Sequence, residues 1–209
     1  MMMKNNRDAN TLLLLHAEDF TDSSMYNRTI ANNGASFAYG KFGDCFYFDG
    51  STWINLPETI DFISDFTVDF WIKMDYYYNE FPLLLGASSD HSSWIMNFFI
   101  SDNGYIQFTR YDSSDHVAYN FTNRLSTNIW YHVAFTKNGN FYQGFLNGIL
   151  QHTSTSAHVF SGNGPFGSTL GMDITNPSFH FHGKIDEFRI SNIARWTADF
   201  TPPTSPYTI

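Results

Sequence analysis

Residues Asp65–Asp75 read DFTVDFWIKMD, and their alternation decides the fold class. In an extended chain neighbouring side chains point to opposite faces. Phe66, Val68, Phe70, Ile72 and Met74 therefore share one face, and Thr67, Asp69, Trp71 and Lys73 share the other. The stretches IWYHVAFTK (129–137) and KIDEFRI (184–190) alternate in the same way. Asn-Gly pairs, the preferred residues of tight hairpin turns, stand at Asn103-Gly104, Asn138-Gly139 and Asn147-Gly148, with a further turn expected at Asn33-Gly34. Strands are expected near 11–17, 29–39, 44–56, 66–75, 83–88, 93–100, 104–111, 116–121, 129–137, 140–146, 149–153, 168–172 and 179–190. This density of short strands predicts an antiparallel sandwich or barrel. A single short helical turn is expected at Asn192–Trp196.

The 209 residues suffice for one sizeable core. The expected organisation is an N-terminal arm over 1–10, one domain over 11–200 and a Pro-rich tail over 201–209. Aromatic residues make up 19% of the chain, which suits half-buried pleated surfaces. A net charge of -9 with only 11 Lys plus Arg and no basic block argues against nucleic acid as a partner. The longest apolar run near the start is Leu12–Leu15, so neither membrane insertion nor a secretory signal is expected. Cys45 is the single cysteine, which excludes an internal disulfide; its apolar strand predicts a buried, inert thiol.

Strict alternation in KIDEFRI would put Asp186 on the same face as Phe188 and Ile190, where a carboxylate needs a donor or a metal. His180 and His182 would share a strand face as a metal pair or as solvent-facing side chains. Tyr76, Tyr77, Tyr78, Trp94, Tyr111 and Tyr119 lie near polar loops. Such rings can stack on sugars, fill a protein interface or pack in the core. The first five are the candidate glycan- or partner-binding residues.

Five stretches, LLLLHAEDFTDSS, GKFGDCFYFDGSTWINLP, DFTVDFWIK, WYHVAFTKNGNFYQGFLNGILQ and GKIDEFRISNIARWTADFTPPTSP, follow one another along nearly the whole chain. Together they resemble the laminin-G-like branch of the concanavalin A-like lectin/glucanase superfamily, especially copies in phage and bacterial surface proteins. The resemblance implies an all-β, two-sheet jelly roll. It also implies a structural Ca²⁺ held by Glu18 or Asp19 together with Asp186, the alternative being that Asp186 accepts backbone N–H groups. Glucanase members of this superfamily use Glu-x-Asp-x-x-Glu on a strand; the four Glu here, Glu18, Glu58, Glu80 and Glu187, do not form it, so no enzyme is expected. The expected function is a lectin-like module, most simply a phage virion component of tail, collar or head decoration. Its partners would be other virion proteins or cell-surface polysaccharide, its place the virion surface or extracellular space, and a homotrimer is favoured. A soluble or secreted carbohydrate-binding protein and a glycoside hydrolase are the alternatives.

Overall fold

The computed structural model describes residues 8–57, 60, 62, 64–77, 83–88, 94–111, 116–156, 167–173 and 179–208, with backbone alone at 83–88, 94–96, 110–111, 116–118 and 167. The strands are β1 Thr11–Leu15, β2 Ala31–Asn33, β3 Ser36–Tyr39, β4 Asp44–Asp49, β5 Trp53–Leu56, β6 Phe66–Met74, β7 Leu83–Ser88 and β8 Trp94–Ile100. They continue as β9 Tyr105–Tyr111, β10 His116–Arg124, β11 Trp130–Asn138, β12 Phe141–Leu146, β13 Ile149–Thr155, β14 Gly167–Leu170 and β15 His182–Ser191. Pairing between them is antiparallel throughout.

An eight-stranded sheet runs β13-β12-β11-β6-β15-β4-β3, with β1 also paired to β15; a seven-stranded sheet runs β10-β9-β8-β7-β14-β5-β2. The expected face of β6 is the observed one: Phe66, Val68, Phe70, Ile72 and Met74 lie in the core. Phe46, Phe98, Phe108, Phe135 and Phe188 join them from both sheets. Phe108 and Phe135 stack with centroids 3.7 Å apart, bridging the layers. Tyr119, read from sequence as a loop-side ring, is buried in this core instead.

Two expected long strands are each broken where the chain changes sheet. The 29–39 stretch divides into β2 and β3, and the 44–56 stretch into β4 and β5, one member of each in either sheet. Gly34 (φ 92°) and Gly50 (φ 86°) make the corners, in left-handed conformations that glycine adopts without a Cβ penalty.

The face expected for Asp186 is also corrected. Asp186 pairs with Trp71 and Arg189 with Asp69, so one extra residue is inserted between them. That bulge places Phe188 in the core and turns Asp186 to the outer face, opposite the outward-facing Trp71. Glu187, at φ 51°, takes the strained position.

The helical turn expected at Asn192–Trp196 is absent. Side chains take its backbone groups: the Thr67 hydroxyl donates to Ile193 O at 2.7 Å, and Arg195 N–H donates to Thr67 Oγ1 at 2.9 Å. The segment instead crosses the outer face of the eight-stranded sheet. Phe200 N–H donates to Gly148 O at 2.9 Å, Leu150 N–H to Asp199 Oδ1 at 2.8 Å, and Trp196 stacks on Phe200 at 4.0 Å. The Pro-rich tail ends with Tyr207 buried in the sheet surface.

Candidate functional site

The outer faces of both sheets bury polar side chains. Under the tail, β6 contributes Asp69, β11 His132 and β15 Arg189. Arg189 Nε and Nη2 donate to the two Asp69 oxygens at 3.0 and 2.9 Å, a bidentate pair. The Tyr207 ring lies 3.9 Å from the guanidinium carbon, and its hydroxyl is 3.0 Å from His132 Nε2. Burial pushes the Asp69 carboxyl upward, but Arg189 and His132 outweigh it and hold it at about 2. The Asp69 and Arg189 charges are paired and Tyr207 closes over them, so the cluster anchors the tail, while His132 Nδ1 is buried with no hydrogen-bond partner among the described residues.

On the outer face of the seven-stranded sheet, pairing register aligns one row: Asn55 of β5 opposite Thr169 of β14, then Gly86 of β7, Asn97 of β8 and Thr109 of β9. Thr169, Asn97 and Thr109 are buried although their strand neighbours Leu170, Phe98 and Phe108 are the ones that face the core. Thr169 is satisfied by donating to Met172 O at 2.6 Å. Among the described residues Asn97 Nδ2 and Thr109 Oγ1 have no hydrogen-bond partner. Trp53 stands at the Asn55 end, its Nε1–H donating to Asn55 Oδ1 at 3.1 Å, with His180 centred 6.1 Å away.

The five candidate aromatics do not form one site. Tyr76 packs on His182 at 4.4 Å. Tyr77 donates its hydroxyl to Leu125 O at 2.7 Å and lies against Gly104, in the β8–β9 turn. Trp94 starts β8 and Tyr111 ends β9, the far ends of the strands joined by that turn, roughly 20 Å away at strand rise. Their side chains and all of Tyr78 lie outside the described residues. The row of Asn97 and Thr109 was not singled out from sequence; its lateral alignment depends on register, which short-range pattern does not carry.

The implied Ca²⁺ residues do not arrange as an oxygen cage. Asp186 Oδ2 accepts from the N–H groups of Lys41 and Phe42 at 2.8 and 2.9 Å, and its Oδ1 is buried without a partner among the described residues. Glu18 accepts from Asp44 N–H at 3.2 Å, and Asp19 from Thr21 N–H at 2.9 Å. Glu18 and Asp19 line an open cleft of about 470 Å³ with His16, Glu187 and Tyr207, whose walls do not include Asp186. Among the described residues no three His, Cys, Asp or Glu side chains converge on a point. Donors aimed at Asp186 suit an anion or a protonated carboxyl, and burial pushes this one up to about 7. In the cleft, Glu187 is occupied: Oε1 meets His16 Nδ1 at 2.8 Å and Oε2 accepts Tyr207 N–H at 2.7 Å. That bond to Glu187 raises the His16 imidazole above its usual range. His180 and His182 do not pair, since His182 sits beside Tyr47, Tyr76 and Asp75. Cys45 is buried, and burial pushes its thiol up to about 12.

Residues 48–199 match the family described as the concanavalin A-like lectin/glucanases superfamily. The chain belongs to that superfamily. Among solved structures, this superfamily chain is similar to domain 4 of a GH43 extracellular arabinanase from Geobacillus stearothermophilus, in complex with arabinotriose. The two share 20% identity over 88% of this chain and 93% of that one, with a TM-score of 0.70. It is also similar to the binding domain of botulinum neurotoxin DC in complex with SialylT (19% identity, 89% and 48% covered, TM-score 0.72). A third is the binding domain of Paraclostridial mosquitocidal protein 1 (17%, 88% and 49%, TM-score 0.69). The chain spans about half the length of the two toxin domains. No curated protein matches the sequence. At these identities the likeness is one of fold.

Proposed function

We propose that this chain is a non-catalytic, lectin-like module that binds a glycan along the outer face of its seven-stranded sheet. The observation that carries the reading is that Asn97 Nδ2 and Thr109 Oγ1, buried in the transverse row, have no partner among the described residues. Each buried polar group without a partner costs about 1–3 kcal/mol, a cost that a ligand hydroxyl relieves once binding uncovers the two atoms. Trp53 at the end of the row supplies a ring for stacking. The arabinotriose held by the similar arabinanase domain supports this ligand class. Against catalysis, a glycosidase needs two free carboxyl groups flanking the bond. Asp69 and Glu187 each have both oxygens occupied by protein donors. A glycan array should give specific binders and no reducing-end release. Reproducible hydrolysis, or an empty array that includes arabinans and host-surface glycans, would overturn the proposal.

We further propose that the module works on a phage particle, as a peripheral trimer. The closing stretch ARWTADFTPPTSP, which resembles phage-encoded copies, supports this placement. Light scattering should give a trimer that co-sediments with purified particles. A monomer that does not bind them leaves a free lectin.

A further inference from the structure

A second surface is written on the opposite sheet, beyond the edge of the tail. Register aligns Tyr47 of β4, Lys184 of β15, Lys73 of β6 and Trp130 of β11 across four neighbouring strands. All four are half-buried and lie on the outer face, alternating with the core residues Phe46, Ile185, Ile72 and Val133 or their neighbours. Lys184 and Lys73 stand directly opposite each other, an arrangement of like charges that destabilises a strand pair. Among the described residues neither has a carboxylate within ion-pair distance. Among the described residues the Lys184 ammonium makes one long polar contact, 3.5 Å to Tyr39 O. Lys41, with its ammonium 4.3 Å from the Trp71 ring, adds a third positive charge on the same face. Three of the chain's five lysines thus gather on one face of a protein with net charge -9.

Two carboxylates, Asp49 and Asp75, stand near the Tyr47 end of the strip. In the adjoining row His182 pairs with Asp49 across the strands, and Asp75 is engaged 3.2 Å from His182 Nδ1. On the other side, Asp186 is buried under the 40–44 turn. Tyr47 and Trp130 stand three strand spacings apart, about 14 Å, with the lysine pair between them. Flat rings at both ends with two unpaired ammonium groups between them complement a saccharide chain carrying an anionic group.

We propose that the Tyr47–Lys184–Lys73–Trp130 strip binds an acidic saccharide, its anion held between the two lysines and flanking sugar rings resting on Tyr47 and Trp130. This surface is separate from the Asn97–Thr109 row, so Thr109→Val serves as an internal control. The test is affinity electrophoresis and calorimetry of the full chain with polygalacturonate, heparin and neutral dextran at low ionic strength. The wild type should bind at least one of the two anionic polymers and not dextran, with binding weakened by salt. Lys73→Gln/Lys184→Gln should bind at least about tenfold more weakly. Trp130→Ala should also weaken binding, and Thr109→Val should leave it intact. Because the lysines repel each other, the double variant should melt no lower than the wild type, which separates lost binding from lost folding. Binding to polygalacturonate alone assigns a carboxylate ligand, and to heparin alone a sulfate ester. Absence of binding to both, equal retardation by dextran, or undiminished binding by the double variant would overturn the proposal.

Discussion

Asp69 on one sheet and Asn97 on the other are both buried on outer faces, yet their surroundings differ. Asp69 has a bidentate arginine, a histidine and a tyrosine ring closing over it. Asn97 Nδ2 and, directly opposite it on the neighbouring strand, Thr109 Oγ1 have no partner among the described residues. Paired charges closed over by a ring fix architecture, here the docking of the C-terminal tail. An unsatisfied polar group costs stability without return unless something outside the chain completes it. Buried atoms without a partner among the described residues occur on both outer faces, at His132 Nδ1 and Thr136 Oγ1 as well as at Asn97 and Thr109; what distinguishes the first face is that its paired charges dock the tail, and the second is the one we propose for recognition.

The largest effect should come from breaking the paired cluster. Arg189→Ala leaves Asp69 buried with only His132 beside it, and should cost about 3–5 kcal/mol in a denaturant titration. A loss below about 1 kcal/mol would show that water reaches Asp69 and that the tail does not seal it.

Acid should act on the same cluster. The folded carboxyl of Asp69 sits at about 2, below its unfolded value of 3.8. Its contribution is therefore complete above about pH 4 and is lost as pH falls toward 2, on the order of 2 kcal/mol. Asp69→Asn should flatten that limb of the stability profile.

Gly148→Ala should loosen the tail. Its φ of 78° is left-handed, and an added Cβ would meet Phe200 O. A loss of about 1–3 kcal/mol is expected, with the Trp196 fluorescence shifting as its stack on Phe200 opens.

Smaller and opposite in sign is Asp186→Asn. The folded carboxyl is pushed up to about 7 by burial, so its stabilisation is complete below about pH 4 and is lost as pH rises through 7. The variant keeps an oxygen for the Lys41 and Phe42 amides and should raise stability at pH 8 by about 1 kcal/mol. EDTA should leave the melting temperature unchanged; a drop on chelation together with a destabilised Asp186→Asn would point to a bound cation instead.

The sequence made some of this legible and hid the rest for identifiable reasons. Alternation in 66–74 announced both faces of β6, because a strand buried on one side must repeat every two residues. The Asn147-Gly148 pair announced its hairpin, and both residues are left-handed there (φ 50° and 78°). The bulge at Glu187 is a single inserted residue that periodicity counts as one more alternation, so Asp186 was read onto the wrong face. The turn at 192–196 has helical composition, yet Thr67, more than a hundred residues away, takes its backbone groups. Tyr76 and Trp94 looked alike as loop-side rings, but the fold sends them to different sheets. Asn55, Thr169, Asn97 and Thr109 become neighbours only through register across four hairpin and crossover connections.

The central claim is tested most directly by measuring glycan affinity and melting temperature together for Asn97→Ala/Thr109→Val. Removing two polar groups that have no partner among the described residues should leave the melting temperature within a few degrees of wild type or above it. Affinity for the best array glycan should fall by about 1–3 kcal/mol per lost hydrogen bond, roughly tenfold or more. Unchanged affinity in a folded variant would contradict the assignment of this face to recognition.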